Sequence, residues 1–241
     1  RDGDVLITND PWIGAGHLFD FIVVTPVFKN DQLINFFAST CHITDVGGLG
    51  WSAEAKSVLE EGTLIPVSFL RRNFQIQEEL LSIICANSRV PKEARGDILS
   101  LMSCNDSGVE RLNNLLHKFK LANLDRITKF IFKQSKSAVE TSIKSLPTGT
   151  YLNTLKLDGF DKPIILKATL KIKEKSISVD LSGSSPAINR GINCPLNYSI
   201  AYASYGIKAA ICPDIPNNAA SLAAIQIKAP PGLIVSAESP S

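Results

Sequence analysis

Several residue types and patterns are scarce in this 241-residue sequence. Histidine occurs three times, tryptophan twice and methionine once. No apolar run reaches the roughly 18–20 residues of a membrane-crossing helix, which sets such a span aside. The five cysteines, Cys41, Cys85, Cys104, Cys194 and Cys212, are scattered, and no two share Cys-x-x-Cys spacing. That excludes a zinc ribbon or redox pair of the usual spacing and favours a reducing, cytoplasmic setting. An excess of one charge is also missing: 25 Lys and Arg stand against 23 Asp and Glu, for a net +2. Bulk attraction to nucleic acid or to a membrane surface is therefore not expected. No Gly-x-x-x-x-Gly-Lys-Ser/Thr loop is present, so the chain has no phosphate cradle of that kind. What remains is ordinary: 44% hydrophobic and 20% charged residues suit one large globular domain or two small ones.

Two of the three histidines fall in a repeated spacing. His17 is followed by Asp20, and His42 by Asp45, each as His-x-x-Asp. Imidazole and carboxylate together suit a divalent metal such as Zn or Mn. The stretch between them explains how they meet. Residues 21–28 and 33–40 are apolar and rich in β-branched and aromatic side chains. Asn30-Asp31 lies between them as a turn former, which reads as a β-hairpin. An antiparallel hairpin brings Asp20, before the first strand, next to His42, after the second. Cys41 is adjacent to His42, but strand alternation turns it to the other face.

The rest of the chain supplies context. Residues 4–8 read as a short strand stopped by Asn9-Asp10-Pro11. Gly47, Gly48 and Gly50 form a glycine-rich loop, read as a plain turn in preference to an anion cradle. Residues 53–61 read as a short helix or ordered loop, and Pro66 argues against a central strand over 65–69. Helical periodicity covers 77–87, then runs from Pro91 to about 119, with Gly96 and Gly108 as weak points. A second long helix is expected over 125–146, with Ile127, Phe130, Ile131, Ala138, Ile143 and Leu146 on its buried side. Strands follow at 150–157, 164–172 and 177–181, with strict alternation in the last two. A helix rich in small residues spans 196–211, its composition pointing to burial against another element or chain. A final strand is expected over 222–228. The fold class is α+β, mainly antiparallel hairpins with a central section of long helices. Residues 1–70 form a β-rich metal-motif segment, 71–147 a helical section and 148–241 a hairpin-plus-helix section, all within one continuous domain. The first residues are already strand-like and lack a Met, and Ser239-Pro240-Ser241 closes no element, so a segment of a longer polypeptide is expected.

Taken together, Asn9-Asp10-Pro11-Trp12, Gly16-His17-Leu18-x-Asp20, Thr25-Pro26-Val27-Phe28 and His42-x-x-Asp45-x-Gly47-Gly48 resemble the hydantoinase B/5-oxoprolinase family. Glu61-Gly62, Ile65-Pro66, Arg95-Gly96-Asp97, Asp180-x-Ser182-Gly183-x-Ser185-Pro186 and Pro213-Asp214-Ile215-Pro216-Asn217-Asn218 extend the resemblance along nearly the whole chain. The family includes the B-type subunits of N-methylhydantoinases, the C-terminal half of 5-oxoprolinase, and acetone and acetophenone carboxylase subunits. The resemblance implies a partner subunit or fused domain of the hydantoinase A type, which uses ATP to phosphorylate a carbonyl oxygen of the substrate. It implies metal ligands at His17, Asp20 and His42. The sequence departs from a common His-His-x-Asp pattern by carrying Ile43 at the second position.

The expected activity is ATP-dependent hydrolysis of a cyclic amide, with the partner present. The alternatives are an ATP-dependent ketone carboxylase of the same architecture and a non-catalytic assembly subunit. Asp45 is expected to orient a histidine ring or take a proton, with a role as an added metal ligand as the alternative. Asp10 is open to two readings, a catalytic one like that of Asp45 and an Asx turn before Pro11. Trp12 and Trp51 either wall the site or pack into the core, and His117 is expected to be structural.

Overall fold

The computed structural model describes residues 1–241, which divide into two compact units. The first comprises residues 1–124 with the short segment 189–191 and Pro240; the second holds the remainder. The α+β class is as expected.

In the first unit a five-stranded sheet runs in the order β3-β2-β1-β4-β5. It comprises β1 (Val5–Thr8), β2 (Asp20–Lys29), β3 (Gln32–His42), β4 (Ser68–Arg72) and β5 (Gln75–Ile76). The β2–β3 hairpin closes through Asn30 and Asp31, both at positive φ, 51° and 59°. This is the left-handed pair that a two-residue hairpin turn needs, and Asn and Asp tolerate it better than most. Pro66 precedes β4, so the segment joins the sheet after the proline and its missing donor is not needed. The Asn73-Phe74 turn, also at positive φ, makes β5 a strand that local patterning does not announce. Of residues 53–61 only α1 (Val58–Glu61) is helical.

Strand β2 alternates strictly. Phe21, Val23, Thr25 and Val27 are buried on one face, while Asp20, Ile22 and Val24 turn to the other. Helices α2 (Glu78–Ala86) and α3 (Pro91–Lys118) complete the unit, with Pro91 in the first turn of α3. Ile98, Leu101 and Met102 of α3 share the core with Phe21, Val23, Leu70 and Leu81. Gly108 is explained here: a Cβ would lie 2.7 Å from the Phe37 ring, so glycine lets α3 approach β3. Asn105 donates from Nδ2 to the carbonyls of Val23 and Phe37, at 3.0 and 3.2 Å, tying helix to sheet.

The second unit holds a four-stranded sheet, β6-β7-β8-β9. Its strands are β6 (Gly149–Leu157), β7 (Ile164–Lys173), β8 (Ser176–Asp180) and β9 (Ile225–Lys228), with helices α4 (Asp125–Lys144), α5 (Leu196–Ile211) and α6 (Ala219–Leu222). Two expectations need correction here. The last strand begins at Ile225, because Asn218 caps a short helix through Leu222, accepting from the Ser221 N–H. That strand pairs parallel to β8. The buried stripe of α4 is Ser135, Val139 and Ile143, spaced four apart; Ile127, Phe130 and Ile131 are exposed, Phe130 by 63%. Strands β7 and β8 and helix α6 pack on α4; Val139 and Ile143 share a core with Ile177 of β8, and Asn218 donates from Nδ2 to Ser135 Oγ at 2.8 Å. Helix α5 packs on β9 as its composition leads one to expect, with Ser204 and Lys208 buried and Ile207 and Ile211 partly buried against the core.

Candidate metal centre

Asp20 and His42 are direct cross-strand partners, since the register of β2 and β3 pairs them. Both lie on the face turned away from α3. His17 arrives from the loop 9–19. Its Nε2 lies 3.4 Å from Asp20 Oδ2, and His42 Nδ1 lies 3.3 Å from Asp20 Oδ1. One donor atom from each residue falls within 4.8 Å of the others. Two donors on one Zn²⁺, each at ~2.0–2.1 Å, sit at most about 4.2 Å apart, so closing this set needs only small side-chain shifts. The three residues thus form a half-open N₂O cup whose donor set suits a divalent cation.

Aromatic rings line the cup. Trp51 stacks on His17 with centroids 4.8 Å apart and planes at 26°. Phe19 stacks on His42 at 5.0 Å and 11°. His17 Nδ1 is buried without a hydrogen-bond partner. A metal-bound histidine usually donates its second N–H to an acceptor that fixes the ring; here the indole face does the positioning. Burial lowers the His17 pKa, the neighbouring His42 adds to this, and Asp20 works against both. The balance favours the neutral ring, which is the form that binds metal. Trp12, by contrast, packs against the core of the first unit.

The loop carrying His17 is held from beneath. Buried Asn9 donates from Nδ2 to the Leu18 and Thr63 carbonyls, at 2.8 and 2.9 Å, and accepts from the Ile65 N–H at 2.6 Å. Asp10 Oδ1 accepts from the Trp12 N–H at 2.9 Å, the Asx-turn geometry. Asp45 sends its hydrogen bonds away from the imidazoles. Its carboxylate accepts from the Gly47 N–H and from both the backbone N–H and the guanidinium of Arg89. Burial alone would raise its pKa, but these donors and the Arg89 charge hold it below the usual range. It is a clasp between the glycine loop and the turn before α3. Gly47 and Gly48 have φ of 80° and 54°, and a Cβ at Gly47 would meet the Asn87 carbonyl oxygen at 2.4 Å. The N–H groups of Leu49 and Gly50 bond the carbonyls of Glu60 and Glu61, so this loop is a packed turn, not an open anion cradle. Ile43, where the common pattern has a second histidine, is fully buried in the core. Cys41 is outside the cluster, with Sγ 3.4 Å from the His42 carbonyl oxygen, and His117 lies on α3, away from the three donors. Arg89, 44 residues from Asp45, is the working part that local spacing does not reveal.

Residues 1–241 match the Hydantoinase B/oxoprolinase family. The chain belongs to that family. It is 32% identical over 244 residues to an uncharacterized protein of Methanocaldococcus jannaschii, covering 99% of this chain and 43% of that one. It is 28% identical over 245 residues to the 5-oxoprolinase of Dictyostelium discoideum, covering 98% of this chain and 19% of that one. A Pseudomonas sp. protein described as the B-type subunit of a D-/L-hydantoinase is 27% identical over 252 residues, covering 97% of this chain and 43% of that one. The chain therefore spans less than half the length of the relatives it matches. Among solved structures, the ATP-dependent caprolactamase of Pseudomonas jessenii superposes with a TM-score of 0.93 at 23% identity, covering 100% of this chain and 43% of that one. An acetone carboxylase superposes with a TM-score of 0.86 at 16% identity, covering 98% and 34%. At these identities the likeness is one of fold. No helix of the chain is long and apolar enough to cross a membrane.

Proposed function

We propose that this chain is the metal-bearing part of an ATP-dependent enzyme that hydrolyses a cyclic amide. The observation that carries the reading is the convergence of His17, Asp20 and His42 into one open cup. A divalent ion held there would supply Lewis acidity toward a carbonyl oxygen and lower the pKa of a water toward ~7. The chain's own residues do the rest. His17 and His42 present ring nitrogens, and Asp20 sits between them with one oxygen toward each. Phe19 and Trp51 cover the ring faces and limit water there. Asn9, Asp10 and Asp45 hold the loops that carry these groups and are positioning residues.

Activation of the amide is assigned to a hydantoinase-A-type subunit or fused domain, which spends ATP to phosphorylate the carbonyl oxygen. Support comes from the lack of a Walker-type loop in this chain and from a relative described as one subunit of a hydantoinase. The ATP-dependent lactam hydrolase among its structural neighbours favours a cyclic amide as substrate. The acetone carboxylase neighbour favours a second reading, carboxylation of a phosphorylated ketone enol. Bicarbonate dependence of turnover separates the two. A scaffold without catalysis is the third possibility.

The test is His42→Ala in the complete, partnered enzyme, with bound metal, ATP cleavage and product measured together. Losing one of three ligands should cost at least the ~10–100-fold typical of removing a group that merely supports a ligand. ATP cleavage persists while product falls. Normal metal content and product formation would overturn the metal reading and leave the scaffold.

A further inference from the structure

Helix α5 inverts the usual pattern of a surface helix. Its sixteen residues include one charged side chain, Lys208, and that side chain is buried, 4% exposed. Tyr202 and Tyr205 on the same helix are exposed instead. Lysine is almost never fully buried unless its charge is paired. The Lys208 ammonium has a single hydrogen-bond partner, the Ile215 carbonyl oxygen at 2.6 Å, and no carboxylate pairs with it. A neutral carbonyl satisfies one of three N–H donors and none of the charge. The negative end of α5 offsets part of the cost, because Lys208 lies in the last turn.

Lys208 also borders open space. A cleft of about 290 Å³ lies against Lys208, walled by Tyr205, Cys212, Pro213, Pro216 and Asn217. No acidic side chain lines it. The turn Pro213–Asn217, a motif that the metal centre does not use, wraps the ammonium from the outer side. The lysine charge reaches the neighbouring thiol as well: burial pushes Cys212 up, and Lys208 partly offsets it.

We propose that this cleft is a binding site for a small oxyanion, a carboxylate or a phosphate, held by the Lys208 ammonium with Asn217 at its rim. The pairing supplies the missing counter-charge and two further acceptors, and a charge-assisted hydrogen bond in this setting is stronger than a neutral one. The site is distinct from the His17–Asp20–His42 cup, and the inference does not depend on the function assigned to that cup.

The test is isothermal titration calorimetry on the full-length protein, stripped of metal by chelation so that the cup takes no anion. Inorganic phosphate and acetate are titrated separately at constant ionic strength, balanced with chloride. Saturable binding of either anion is expected, and which one binds names the group the cleft accepts. Lys208→Met should weaken binding on the order of tenfold or more, the loss of a charged hydrogen bond. Asn217→Trp is the second variant: it fills the rim without touching the ammonium, and it should also weaken binding while thermal unfolding stays that of the wild type. It decides the matter if Lys208→Met does not fold. No saturable binding of either anion by the wild type, or wild-type affinity in Asn217→Trp, overturns the proposal.

Discussion

Replacing Asn9 with alanine should damage this protein out of proportion to the size of the side chain. Asn9 is 1% exposed and makes three hydrogen bonds, two from Nδ2 and one to Oδ1. Each is worth about 1 kcal/mol net, and each lost partner is a backbone group with little access to water. The truncation therefore costs about 3 kcal/mol or somewhat more. Against a total of ~5–15 kcal/mol for a typical domain, that is a large share. Asn9→Asp should be no milder: it keeps an acceptor for the Ile65 N–H but sets a carboxylate against two carbonyl oxygens. Urea denaturation with an unchanged m-value measures the loss. The effect should also reach the metal centre, since one of the freed carbonyls belongs to Leu18, next to His17. Ile98→Ala is the comparison: fully buried on α3, it should cost a similar ~2–5 kcal/mol yet leave metal affinity intact. A loss below about 1 kcal/mol for Asn9→Ala, or equal metal affinity in the two variants, would refute the reasoning.

Two further expectations follow from the geometry. Trp51 lies on His17 and is 67% exposed, whereas Trp12 packs into the core. Titration with Mn²⁺ or Co²⁺ should therefore quench mainly Trp51 emission, and Trp51→Phe should abolish the quench; an undiminished quench in that variant would show that the metal sits elsewhere. In the second unit, the Ser182 hydroxyl and N–H and the Lys228 ammonium hold the Asp180 carboxyl down to about 2. The sign is that of a depressed acid: its stabilisation is complete above the ordinary value of 3.8 and is lost as pH falls through about 2. An NMR titration of Asp180 with a midpoint near 4, or one unmoved by Ser182→Ala, would contradict this.

The candidate ligands are legible in the sequence because histidine is rare here and because the hairpin between them has a strong local pattern. Period-2 alternation, an Asn-Asp turn and two His-x-x-Asp spacings are all visible within a few residues. What escapes is what depends on distance along the chain. Asp45 meets Arg89 across 44 residues, and Asn9 meets Thr63 across 54. Neither pairing leaves a periodic trace in the sequence, so Asp45 reads as a partner for histidine when its carboxylate is a clasp for the glycine loop. The face of α4 escapes for a related reason. Apolar spacing marks where a helix could bury surface, but the neighbours decide, and they cover Ser135, Val139 and Ile143. The parallel pairing of β9 and the cap at Asn218 depend on the path between α5 and the sheet, which composition does not encode. Pro213–Asn217 reads as a turn cluster, and its wrapping of Lys208 emerges only once the helix before it is in place.

The geometry of the cup is finally a matter of register. Asp20 faces His42 because β2 and β3 pair in one alignment, with the single irregularity between Val27 and Phe28, near the turn and far from the ligands. A slip of one residue would set Cys41 or Ile43 opposite Asp20 and turn His42 toward the other face. That slip is opposed by burial on the inner face. Phe37 of β3 would leave its place against Gly108 of α3. Ile43, fully buried, would leave the core as well, and its N–H would lose the Phe19 carbonyl at 2.9 Å. Fully burying a side chain of this size is worth ~1.5–3 kcal/mol, so Ile43 alone opposes the slip by about that much. The histidine that the common pattern places at position 43 would put a polar ring into that core. Isoleucine there instead locks the register, and the locked register is what holds His42 in line with Asp20 on the opposite face.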